Sequence, residues 1–159
     1  MFLSTFEKQL EAKRRVVVQH DFRAGAKNAD TEGFGSVFCF PSIEADCLEG
    51  GGDALFKQYL SLIEELPFGD PLRSALETTV LGGHTRMAFD SAGRITLPEA
   101  LCDQFGLTDW VAVVGMGDRF QIWSKEAFDA RRNSERMVAR TGLAAYRNSQ
   151  RTLKAGAAG

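Results

Sequence analysis

Residues 89–107 read "FDSAGRITLPEALCDQFGL". Asp90 to Pro98 bring together an acid, a glycine, an arginine, two β-branched residues and a proline. Gly93 allows a sharp turn that other residues resist. Asp90 can close that turn by accepting hydrogen bonds from its amides. Arg94–Leu97 then reads as a short strand. Pro98 suits the first turn of a helix, where its missing N–H costs nothing. Leu101, Cys102 and Phe105 give that helix an apolar face, and Gly106 stops it. Arg94, at the mouth of the strand, either pairs with Asp90 or points outward, where a guanidinium suits a phosphate or a guanine edge.

An altered copy, "LEAKRRVVVQHDF", occupies residues 10–22. At an offset of 79 residues and without a gap, Glu11 falls on Asp90, Arg14 on Gly93, Arg15 on Arg94, Val18 on Leu97 and Gln19 on Pro98. Further on, "SVFCF" (36–40) answers "WVAVV" (110–114), and "DALFKQYL" (53–60) answers "EAFDARR" (126–132) once short gaps are allowed. The chain therefore reads as two copies of one supersecondary unit, too few for a solenoid.

Strands are predicted at 110–116 and 119–123 around a Gly117-Asp118 turn, and helices at 53–66, 71–81 and 124–139. The expected organisation is a first repeat over 1–70, a linking helix over 71–82, a second repeat over 83–139, and a partly disordered basic tail over 140–159. Such short strands, turns and small helices fit an α+β fold or a small barrel.

Charge is unevenly spread. Residues 1–29 carry six Lys/Arg against three acids, residues 30–130 carry six against seventeen, and residues 131–159 carry seven against one. Basic ends on an acidic middle suit a protein that meets a polyanion with selected faces. The basic end after residue 131 either adds affinity for DNA or is an ordinary solvated helix. In the first copy, Lys13, Arg14 and Arg15 stand together with Glu11 as the nearby acid, a pattern that suits nucleic-acid phosphate.

Other chemistries find little support. The sequence has no phosphate-binding loop, dinucleotide fingerprint, nucleophile elbow or zinc-protease motif. "EGGGDA" (49–54) lacks the Lys-Ser/Thr that a phosphate loop requires. His84 has no nucleophile or acid spaced to work with it, and neither His20 nor His84 has a metal-ligand partner three or four residues on. Cys39, Cys47 and Cys102 form no C-x-x-C pair and read as buried thiols. No catalytic residue, metal or cofactor is expected. The sequence shows no run long enough to span a membrane and no signal-peptide pattern, so the cytoplasm is the expected location.

"FDSAGRITLP" followed by "GLTDWVAVVGMGDRFQIW" closely resembles the second repeat of the MraZ family, with its D-x-x-G-R-x-x-L-P signature. "VLGGHTRMAFD" (80–90) is similar to the family's link into that repeat, and "MF…LEAKRRVVV" to its opening "MF…LDAKGRLAVP". Glu11, Arg14 and Gln19 are departures. The resemblance covers roughly residues 1–140. It implies two tandem AbrB-like swapped-hairpin, double-psi-barrel half-modules related by a pseudo-twofold, with flanking helices. It also implies a nucleoid-associated DNA-binding regulator, usually a repressor, that binds repeated boxes in the promoter of the division and cell-wall gene cluster as a ring of eight or more subunits. Carried over by position, the DNA-contacting residues are Lys13, Arg14, Arg15 and Arg94, and the turn-supporting ones are Glu11, Asp90 and Gly93. A DNA-free scaffold ring and a dimeric antitoxin-like regulator are the alternatives.

Overall fold

In the computed structural model, residues 1–19, 22–23 and 35–158 are described. The glycine-rich segment 20–35, read from sequence as a departure from a compact helix, lies outside them except for Phe22, Arg23 and Gly35, as does His20. Eight strands form among the described residues: β1 Thr5–Gln9, β2 Arg15–Val17, β3 Ser36–Pro41, β4 Leu48–Gly51, β5 Thr85–Ala88, β6 Arg94–Thr96, β7 Trp110–Gly115 and β8 Phe120–Ser124. The helices include α1 Asp53–Glu65, α2 Pro71–Leu76, α3 Glu99–Phe105 and α4 Lys125–Ala158, and α2 runs on into a π turn over Glu77–Leu81.

All pairings are antiparallel. Six strands form one sheet in the order β1-β7-β8-β4-β3-β5, and β2 pairs with β6 in a second. The order is unchanged when the halves are exchanged. The first strand of each half lies on the third strand of the other, β1 on β7 and β5 on β3, while the fourth strands, β4 and β8, meet in the middle. Register makes the correspondence numerical. In the β2–β6 pair, Arg15 faces Thr96, Val16 faces Ile95 and Val17 faces Arg94, which is symmetric at the 79-residue offset. Thr5↔Val114 and Ser36↔Ala88 then place β3 and β7 at an offset of 74, the one that sets "SVFCF" on "WVAVV".

Because adjacent residues of a strand point to opposite faces, β3 serves two cores. Val37 and Cys39 join the main core with Val16, Ile95, Val113 and Ile122. Phe38 and Phe40 join a second, with Leu55 of α1 and Val80 of the π turn. The cysteines Cys39, Cys47 and Cys102 are all buried thiols, and burial pushes Cys39 up to about 12. Between β4 and β8 the face opposite the main core is polar: the directly paired Glu49 and Gln121 are buried, and Arg119 Nε lies 2.6 Å from Glu49 Oε1.

Local signals explain the helix ends. Asp70 Oδ1 accepts from the Leu72 amide at 2.8 Å, and Pro71 opens α2. Pro98 stands one position before α3, at its N-cap, and Gly106 ends α3 in the left-handed conformation at φ 64°. Strand exchange ties Met1–Lys125 into one compact unit, and Glu126–Gly159 is a second. One finding departs from the sequence reading, in the tail. The tail expected to be partly disordered over 140–159 continues α4 as helix to Ala158. Its alanines, arginines, leucines, glutamine and lysine are strong helix formers and no proline interrupts them, so backbone propensity acts where no core is available. No described helix is long and apolar enough to cross a membrane.

Ile95 sits at the centre of the β2–β6 pair and is about 1% exposed. Ile95→Ala is expected to cost about 2–5 kcal/mol, read as a lower urea midpoint with an unchanged slope.

Candidate nucleic-acid interface

The turns that feed β2 and β6 are brought together by the pairing of those strands. In the second turn, Asp90 Oδ1 accepts from the Ala92 and Arg94 amides, both at 2.9 Å, and Oδ2 from Arg94 Nε at 2.8 Å. The Asp90 amide donates to the Arg94 carbonyl at 2.9 Å, and Gly93 takes φ 76°. These bonds, the Arg94 amide foremost, hold the Asp90 carboxyl below its ordinary range.

The first turn is closed by the same backbone bond, Glu11 amide to Arg15 carbonyl at 2.8 Å. Its interior differs. Lys13 and Arg14 both adopt left-handed backbone, at φ 61° and 58°, which costs on the order of 1–3 kcal/mol for each such residue. Arg14 is clamped from the other half: its carbonyl accepts from the Leu97 amide at 2.9 Å and its Nε donates to the Leu97 carbonyl at 3.2 Å. The symmetric bond, Val18 amide to Gly93 carbonyl, is 3.0 Å. Arginine therefore replaces glycine without opening the turn.

The acids do not divide evenly. Glu11, at the motif's acid position, directs its Oε2 to Arg94, 3.8 Å from Nη1, so both motif acids face Arg94. Among the described residues, Lys13, Arg14 and Arg15 form no ion pair, and Arg15 Nε donates to the Ala12 carbonyl at 3.2 Å. Structure thus places all seven motif residues in one paired-turn region, with the second turn neutralised and the first left cationic.

Arg23 belongs to this region and was not singled out from sequence. Its guanidinium lies over Gly93: a Cβ there would stand 2.6 Å from Arg23 Cζ. Arg23 Nε is buried and finds no hydrogen-bond acceptor among the described residues. At the 79-residue offset Arg23 corresponds to Cys102, a residue whose thiol feels the charge of Arg14. So one turn carries its arginine, whose charge acts at a cysteine, while the other carries a glycine and meets an arginine. The signal was present as two departures in the repeat alignment, but only the fold shows that position 23 lies against 93 and that the charge at 14 acts at 102.

The family model described as "MraZ protein, putative antitoxin-like" matches residues 80–141. Over 154 residues, 97% of this chain and 94% of the relative, the sequence is 66% identical to the transcriptional regulator MraZ of Phenylobacterium zucineum. It is 64% identical to that of Caulobacter vibrioides over 97% and 96% of the two chains. The chain belongs to the MraZ family. A more distant MraZ, from Hyphomonas neptunium, is 35% identical over 80% of this chain and 75% of its own. The matched family segment holds Asp90, Gly93 and Arg94, whereas the cationic first turn lies outside it and within the span shared with the two nearer MraZ relatives.

Gly93→Ala is expected to cost about 1–2 kcal/mol for the left-handed backbone, plus an increment for displacing Arg23. A double-mutant cycle with Arg23→Ala, followed by urea denaturation, should remove only that increment. Asp90 has a depressed carboxyl in the fold, so its contribution is present above the ordinary carboxyl range and lost as pH falls below it. Acid titration of the amide signals of Ala92 and Arg94 should show this loss, and Asp90→Asn should abolish it.

Proposed function

We propose that this chain is a sequence-specific DNA-binding regulator of transcription, acting as a repressor, in which the turn Glu11–Arg15 is the principal reading element. The observation that carries the proposal is the uneven sharing of acids. Asp90 and Glu11 both face Arg94, and Lys13, Arg14 and Arg15 remain adjacent cations, with Arg14 and Arg15 donating to neutral backbone carbonyls. An uncompensated cluster of this kind is stabilised by phosphate and leaves a guanidinium available for a base edge. The relatives are named transcriptional regulators, which supports the same reading.

The remaining elements extend the family resemblance. The halves are AbrB-like swapped hairpins, which the exchange of β1 and β5 between halves supports. The chain assembles into a homo-oligomeric ring in the cytoplasm, on the nucleoid, at repeated boxes in the promoter of the division and cell-wall genes. One pair of turns offers few base contacts, so binding by one subunit is weak. A ring that meets several boxes at once raises avidity through effective concentration.

The test is binding to the DNA upstream of the chain's own gene, at two salt concentrations. Arg15→Ala should weaken binding by about 1–3 kcal/mol per engaged subunit and relax preference at one base position. Arg94→Ala should act less on binding and more on stability, because Asp90 and Glu11 already hold that side chain. A folded wild-type oligomer with no saturable binding at any salt would sink the regulator and leave the scaffold.

A further inference from the structure

Helix α4 is exposed at every described side chain from Arg132 to Ala157. Its cations are not scattered. At about 100° per residue, Arg136, Arg140, Arg147, Arg151 and Lys154 fall within about 60° of one another, along a single edge that runs for about 27 Å. No acidic residue follows Glu135, and none lies three or four positions from any of these five. The first turns of the helix differ: there Arg131 Nε meets Glu135 at 2.6 Å and Arg132 lies over the Phe128 ring at 5.5 Å.

Such an edge works against its own helix, since Arg136–Arg140, Arg147–Arg151 and Arg151–Lys154 are like charges at helical-neighbour spacing. An anionic surface reverses that sign. We propose that this edge of α4 is a second DNA contact, which grips the phosphate backbone of duplex DNA without reading its sequence. The proposal rests on the DNA-binding reading above and adds an element outside the paired turns. A duplex as long as the edge presents about sixteen phosphates, so each cation meets one without a particular register.

The adjacent apolar stripe, Ala139, Leu143, Tyr146 and Leu153, is narrow, and no Trp or Phe follows Phe128. A helix that lies in a membrane surface needs a wider face with bulky anchors, so nucleic acid is the polyanion that this pattern fits.

The experiment compares full-length wild type with R140Q/R147Q/R151Q and R140K/R147K/R151K, checked for equal helicity by circular dichroism. Each is titrated with the upstream DNA and with a scrambled duplex between 50 and 200 mM salt. Removing three phosphate contacts should lower the slope of log affinity against log salt by about 2.7. The glutamine variant should then lose about 40-fold less affinity than wild type across that range, with its preference for the upstream sequence unchanged. The lysine variant should keep the wild-type slope. An unchanged slope in the glutamine variant overturns the proposal, as does binding of wild type to phosphatidylglycerol vesicles combined with that unchanged slope. Equal wild-type affinity for both duplexes, with the slope change present, would support this second contact while overturning sequence-specific reading by the turns.

Discussion

Antiparallel pairing across the two halves is the constraint on which everything else in the Met1–Lys125 unit depends. Four of the six strand pairings, β1–β7, β3–β5, β4–β8 and β2–β6, join one half to the other. Neither half could satisfy the backbone of its first strand alone, and an unpaired strand edge is both a loss of hydrogen bonds and an aggregation hazard. The exchange resolves this for both halves at once. It also fixes where the motif turns can be, because β2 and β6 meet at Val16 and Ile95 and thereby hold their leading turns side by side.

That proximity creates the electrostatics of the interface. A symmetric pair of turns would give each arginine its own acid. Here Glu11 reaches across to Arg94 and leaves its own turn with three cations. The left-handed backbone of Lys13 and Arg14 is tolerated because the Leu97 backbone grips Arg14 at both its carbonyl and its guanidinium. The same half-to-half contact therefore supports the strained turn and assigns it the uncompensated charge. Divergence of the first copy is coupled to the second through Arg23 over Gly93 and the charge of Arg14 acting at Cys102.

Much of this was legible in one dimension. The repeat offset of 79, the strands β2 and β6, the hairpin of β7 and β8, the helix stop at Gly106 and the closing role of Asp90 follow from spacing and from residues with narrow backbone preferences. The full length of α4 was not legible: 140–158 offers nothing with which to build a core, and alanine and arginine continue the helix there by propensity alone. The left-handed conformation of Arg14 was not legible, because nothing local favours it.

The sequence by itself determined the two copies, their local elements and the inventory of charges, since turn closure, strand preference and helix propensity act between near neighbours. Tertiary structure alone decided which copy's strand pairs with which, that Glu11 serves Arg94 rather than Arg15, and that Arg23 covers Gly93. Those relations join residues 46 to 109 positions apart. They exist because backbone hydrogen bonds must be satisfied somewhere, and in this chain the partners lie in the opposite half.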